Sequence, residues 1–196
     1  MTPVAGVLLA AGEGSRLGQP KAVTVFRGER LVDRGIRLLR DGGAEPVIVV
    51  TGAAGLELPG VITVHNPAWR SGMGSSLAAG LDAIPGGCRA AVIALVDQPL
   101  VGVQAVKRLI AAHRDAGAVA AVAAYRGQPR NPVLLSREHW PEVVALAVGD
   151  TGARPFLRAH PELVTMVECG NTGDPADVDT PEDLIRLEGL PEVTGP

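Results

Sequence analysis

Lysine is scarce in this chain: the only two are Lys21 and Lys107, and arginine supplies the rest of the 18 basic side chains. Lys21 closes the stretch VLLAAGEGSRLGQPK at residues 7–21, an apolar run that enters a glycine loop and passes Arg16. A compact ammonium acts as a point charge among phosphate oxygens, where a guanidinium fork would impose bidentate geometry. Gly12 and Gly14 allow backbone N–H groups to approach an anion closely, because no Cβ stands in the way. Two familiar phosphate loops are excluded. After Gly12 and Gly14 the next glycine comes only at Gly18, so the G-x-G-x-x-G spacing fails, and no Gly-Lys-Ser/Thr follows. Pro20 removes a donor where a helix would be running.

Carboxylates form the second set. The apolar run AVIALV at 91–96 ends in Asp97-Gln98-Pro99. A carboxylate at the carboxyl end of a buried parallel strand sits where substrate phosphates lie, and oxygen ligands suit Mg²⁺. The same residues also fit a strand-end turn. Further on, DVDTPED at 177–183 offers two readings. If extended, Asp177 and Asp179 share one face and complete a metal site. Alternatively Thr180 is an N-cap, Pro181 opens a helix and acids fill its first turn.

These residues need a scaffold, and the hydrophobic pattern supplies one. Apolar runs at 4–10, 46–51, 61–65, 90–96, 118–124, 132–135 and 163–168 read as strands. Helical periodicity marks 31–40, 73–84, 103–116, 138–148 and 153–160. The alternation predicts an α/β fold in three layers, a mostly parallel sheet with helices on both faces. In such sheets ligands bind beyond the carboxyl ends of the strands, where the glycine loop and Asp97 arrive together. With no repeat or linker to divide it, the chain reads as a single domain over 1–196.

Composition narrows the partners. The net charge is −3 with no basic block, which argues against nucleic acid and against an anionic membrane surface. No apolar run reaches the roughly 18 residues a membrane span requires, and Cys88 and Cys169 lie far apart without a CxxC. His65, His113, His139 and His160 show no metal-ligand spacing. A soluble, cytoplasmic protein with reduced thiols is expected.

Other clusters admit both functional and structural roles. Asn66 begins NPAWRSGMGSS, in which Ser75 or Ser76 at a helix start suits a base, a phosphate or simple capping. G-x-S-x-G is not completed, since Ala78 stands where the second glycine belongs. Arg130-Asn131-Pro132 and GDTGAR at 149–154 suit acceptor contacts, through Arg130, Asn131, Asp150 and Arg154, or turn chemistry. His139 and Trp140 read as packing, and Arg34, Arg37, Arg108 and Arg114 as solvated helix faces.

Taken in order, LLAAGEGSRLGQPK, NPAWRSGMGSSLAAGL, VDQP, RNPVLL, GDTGAR and DVDTPEDL resemble the MobA-like nucleotidyltransferases, and among them the molybdenum cofactor cytidylyltransferase branch. The resemblance spans nearly the whole chain and implies a Rossmann-like nucleotidyltransferase fold. It implies nucleotide binding by Leu9, Ala10, Ala11, Gly12 and Gly14, with Arg16 and Lys21 on the phosphates. Asn66, Gly74 and Ser75 then lie near base and ribose, and Asp97 holds Mg²⁺, with Asp179 the further metal candidate from the DVDTPED spacing. Ala11 stands where guanylyl-transferring relatives usually have glycine, which implies a preference for CTP. Relatives usually read Arg-Gly-Asn-Pro near the acceptor, whereas Arg130 here directly precedes Asn131.

The implied activity is Mg²⁺-dependent transfer of a nucleotidyl group, CMP favoured, to a phosphomonoester such as molybdopterin, with transient contact to a molybdoenzyme or its chaperone. An acceptor phosphate is already anionic near neutral pH, so no general base is required. Two alternatives stand beside it. Proteins resembling this branch are also named nicotine blue oxidoreductases, which would bring in NAD(P)H, although the strand ending at Thr51-Gly52 lacks the acid that would hold a ribose and Asp33 falls within a helix. A nucleotide-binding regulator without turnover is the other.

Overall fold

The computed structural model describes residues 2–191; the expected domain boundaries 1 and 196 lie outside them. Seven strands build the main sheet: β1 (Val4–Ala10), β4 (Val47–Thr51), β5 (Ile62–His65), β6 (Ala90–Leu95), β7 (Ala120–Tyr125), β8 (Gln128–Ser136) and β9 (Val164–Glu168). They lie in the order β5-β4-β1-β6-β8-β7-β9. All neighbours are parallel except where β8 inserts antiparallel between β6 and β7. This is the mostly parallel α/β arrangement that the alternating pattern predicts, in the Rossmann-like form that the resemblance implies.

The core follows from strand alternation. Along β1, Val4, Leu8 and Ala10 join one apolar cluster and Ala5, Val7 and Leu9 the other. The first cluster receives Leu31, Val32, Leu38 and Leu39 of α1 (Leu31–Asp41), Val106 and Leu109 of α3 (Val103–Ala116) and Leu187 of α6 (Pro181–Glu188). The second receives Leu77 and Leu81 of α2 (Met73–Asp82), Val143 of α4 (Trp140–Leu146) and Phe156 of α5 (Arg154–Ala159). Sequestering each such side chain stabilises the fold by roughly 1.5–3 kcal/mol. That anchors short α5 through Phe156, and through it one wall of the cavity described below.

Several boundaries differ from the sequence reading. Strand 132–135 extends to nine residues as β8, because its first half, Gln128 to Asn131, is a polar hairpin arm without an apolar signal. The helix expected at 138–148 is a 3-10 turn at Arg137–His139 followed by α4, which ends where Ala147 leaves helical geometry. A small ribbon, β2 (Val25–Phe26) against β3 (Glu29–Arg30), was not anticipated. Its turn residues Arg27 and Gly28 both have positive φ, 51° and 80°. That is the geometry of a tight hairpin, in which asparagine is the usual first residue and arginine gives no cue. The Arg27 guanidinium donates to the Leu187, Glu188 and Leu190 carbonyls, fastening the ribbon to the end of α6.

Arg34 also differs from its expected solvated role. Its Nε donates to the Pro99 carbonyl at 2.6 Å and its guanidinium lies 5.3 Å from the Phe26 ring centre. Arg37 pairs with Glu29, and Arg108 donates to the Glu168 carbonyl and to Asn171 Oδ1. Trp140 is buried, with its Nε1 donating to the Leu135 carbonyl, so its packing role holds. Among the described residues no helix is long and apolar enough to cross a membrane.

Candidate functional site

At the carboxyl edge of the sheet, three segments distant in sequence converge on one ammonium group. Lys21, in a 3-10 turn after the glycine loop, donates from Nζ to Asp97 Oδ2 and to Asp179 Oδ1, each at 2.6 Å. Arg16 Nη2 lies 3.1 Å from Asp179 Oδ2. Lys21 and Asp97 are largely shielded, with 16% and 19% of their side chains exposed, whereas Arg16 at 67% reaches into solvent.

Local sequence dictates these placements. Asp97 follows β6 and is held by its backbone, whose carbonyl accepts from Val178 N–H at 2.8 Å. Val178 is fully buried, which leaves Asp177 and Asp179 on the opposite side of an extended segment, facing the cavity. Thr180 then starts α6 with a reciprocal capping box to Asp183, and Pro181 occupies the first turn. The helix start read from DVDTPED is therefore real, and the extended stretch before it delivers Asp179 to Lys21.

The electrostatics follow from burial and charge. Desolvation works against the Lys21 charge, but Asp97 and Asp179 outweigh it and raise its pKa above the ordinary lysine value. The Lys21 hydrogen bond holds Asp179 below the usual carboxylate range. Burial pushes Asp177 up, reinforced by the Asp97 charge and opposed by the hydrogen bond from Gln98 Nε2 at 2.9 Å.

This donor set fits a hard divalent cation bound together with phosphates. Asp97 and Asp179 are brought together on the Lys21 ammonium, and the second Asp97 oxygen, Oδ1, is buried without a hydrogen-bond partner among the described residues. Among the described residues no group of three or more His, Cys, Asp or Glu side chains forms an all-protein cage. Mg²⁺ characteristically takes one or two carboxylates and completes its shell with substrate oxygens and water.

The glycines separate by purpose. Gly14 has φ of 60°, and a Cβ there would stand 2.2 Å from the Gln19 carbonyl oxygen, so loop geometry requires it. A Cβ on Gly12 would meet nothing within 4 Å. Leu9 and Ala10 end β1, and the Ala11 carbonyl accepts from Ala53 N–H at 3.0 Å.

Other expected residues are engaged structurally. Asn66 is buried, donates from Nδ2 to Ser75 Oγ and Ser76 Oγ and accepts from Ala68 N–H. Gly74 packs so tightly that a Cβ would lie 1.9 Å from the Ala147 oxygen. Asp150 accepts from Met73 N–H at 3.1 Å, tying the start of α2 to the 149–151 turn, and does not line the cavity.

Arg130, Asn131 and Arg154 do line that cavity, a space of about 870 Å³ that reaches from Asp97, Asp177 and Asp179 to α5. Its floor is apolar, including Leu95, Val122, Val133, Leu157 and Met166. Arg158 also lines it, a residue that sequence reasoning passed over. The available signal was its spacing, one helical turn after Arg154.

Comparison with known proteins places this geometry in context. The model of the MobA-like NTP transferase domain matches residues 6–164. The chain is 39% identical to the nicotine blue oxidoreductase of Paenarthrobacter nicotinovorans, over 94% of this chain and 96% of that one. It is 32% identical to the molybdenum cofactor guanylyltransferase of Rhodobacter capsulatus, over 94% and 95%. The crystal structure of the manganese complex of Rv0371C from Mycobacterium tuberculosis H37Rv superimposes with a TM-score of 0.78 at 26% identity, covering 96% of this chain and all of that one. The glycine loop, the sheet order and the extent of these matches agree: this chain belongs to the MobA-like NTP transferase family.

Proposed function

We propose that this protein is a Mg²⁺-dependent nucleotidyltransferase that moves a nucleotidyl group, CMP favoured, from an NTP to a phosphomonoester acceptor of the molybdopterin class. The observation that carries the reading is the junction of Lys21 with Asp97 and Asp179, set where the glycine loop leaves the sheet. Lys21 and Arg16 are the cations for the triphosphate. Gly12, with no structural demand for its missing Cβ, offers its backbone to the phosphates. Asp97 and Asp179 hold the divalent ion, which when bound neutralises phosphate charge.

An oxygen of the acceptor phosphate attacks the α-phosphorus in line, forming one P–O bond as the bond to pyrophosphate breaks. The acceptor oxygen arrives already anionic, so no side chain has to remove a proton. Positioning and charge neutralisation by Lys21 and Arg16 supply the catalysis. Asn66, Gly74 and Ser75 shape the base side from behind, and Ala11 in place of glycine underlies the preference for CTP. Arg130, Asn131 and Arg154 serve the acceptor, while Asp150 supports the turn that carries Arg154. The protein works as one cytoplasmic domain.

The deciding experiment is a pyrophosphate-release screen of the four NTPs with Mg²⁺ against molybdopterin and common phosphorylated small molecules. Release with CTP and molybdopterin is expected; no release with any pair refutes the reading. One observation favours a second reading, the 39% identity to a protein named as a nicotine blue oxidoreductase. Loss of NADPH absorbance with a quinonoid acceptor, in the absence of NTP turnover, would replace the first reading with that one.

A further inference from the structure

The cavity beside the site is polarised. Its carboxylates Asp97, Asp177 and Asp179 come from the end of β6 and the segment before α6, and its guanidiniums Arg130, Arg154 and Arg158 from β8 and α5. Among the described residues none of these three arginines is ion-paired to a carboxylate. In a protein of net charge −3, three guanidiniums without a carboxylate partner lining one concavity raise the positive potential beside β8 and α5.

Their placement is built into the fold. Arg154 and Arg158 lie one turn apart on α5, with Leu157 between them on the cavity side and Phe156 buried behind. Arg154 is braced, donating from Nε to the Thr151 carbonyl and from Nη2 to the Asp150 carbonyl. Arg158 makes no hydrogen bond to another described residue, so its whole fork is available. Arg130 reaches the cavity through a bulge: Val122 pairs with Val133 but Ala123 pairs with Arg130, so Asn131 and Pro132 are extra residues in β8. Bulges re-aim side chains in this way.

We infer that the acceptor carries a second anionic group, separated from its reacting phosphate by an apolar body, and that Arg158 with Arg130 binds it. This rests on the phosphomonoester reading above and specifies the substrate class. The reacting phosphate lies at the Asp97 and Asp179 end, the apolar body over Leu95, Val133 and Met166, and the distal oxyanion at the arginine wall. A cavity of this volume is roughly 10 Å across, room for a drug-sized ligand. A guanidinium fork matches a planar carboxylate or a phosphate at that far end.

The test is calorimetric titration of the full chain, with Mg²⁺ and a non-hydrolysable CTP analogue, using four probes. These are phenyl phosphate, 4-carboxyphenyl phosphate, 4-carbamoylphenyl phosphate and the longer 4′-carboxybiphenyl-4-yl phosphate. At least one carboxylated probe should bind wild type about tenfold more tightly than the carbamoyl probe, a difference of about 1.4 kcal/mol. In Arg158→Gln, an exposed substitution, that preference should shrink to twofold or less with phenyl phosphate affinity unchanged. Two results overturn the inference alone: phosphates that bind without a carboxylate preference, or an equal loss for all probes in Arg158→Gln. Failure of every phosphate to bind overturns the phosphomonoester reading and this inference with it.

Discussion

The two halves of the carboxyl edge hold positive charge in opposite ways. Around β1 and β6, Lys21 is shielded and locked to two carboxylates at 2.6 Å. Around β7, β8 and α5, Arg130, Arg154 and Arg158 stand exposed beside an apolar floor, without a carboxylate partner among the described residues. In the parallel half Lys21 is fixed by two carboxylates from distant segments, as the proposed grip on a triphosphate would require. The half containing the antiparallel strand is open, its reach set by a bulge and by arginines on β8 and α5, which suits the acceptor role proposed for it.

Substitutions can break or sharpen this division. The largest effect belongs to the locked half: Lys21→Ala and Asp97→Ala should each lower turnover on the order of 100-fold, because they act on charge that develops during transfer. Near-normal pyrophosphate release by both variants would remove the assignment. Gly12→Ala should come next, weakening NTP binding about tenfold at an unchanged melting temperature, since the added Cβ meets only the incoming phosphates. A lower melting temperature would show instead that the glycine serves the fold.

On the open side, Arg130→Gln should raise the acceptor KM several-fold with the KM for NTP unaltered, as expected for a residue that binds one substrate only. Equal changes in both constants would dissolve the proposed division. The smallest effect concerns α6, whose start delivers Asp179. Hydrogen bonds from Arg186 and Thr180 lower the Asp183 pKa to about 2. A depressed carboxylate contributes stability above its ordinary pKa and loses it as pH falls through the folded value. Asp183→Asn should therefore melt below wild type at pH 6, with the gap closing between about pH 4 and pH 2. A gap undiminished at pH 2 would assign the effect to something other than charge.

Much of this division was legible in the sequence, for reasons that differ by residue. A rare lysine after glycines and an apolar run ending in Asp97 carry their chemistry in type and spacing alone. The layered α/β fold was readable because strands buried on both faces are apolar throughout. Arg34 was misread because a helical pattern reports which face is polar and says nothing of a carbonyl waiting on another segment, here that of Pro99. Arg158 and the full length of β8 escaped because exposed polar residues have no periodicity constraint. Asn66 and Asp150 resemble ligand-binding residues in composition, and only three dimensions reveal their hydrogen bonds to Ser75, Ser76 and Met73 N–H.

The backbone bond from Val178 to Asp97 works as a clasp between the sheet and the segment that follows it. Asp179 lies beyond the last strand and beyond the 6–164 span of the family match, so the sheet by itself brings only one carboxylate to Lys21. Whatever loosens that clasp would draw Asp179 away from the ammonium while every strand stayed paired.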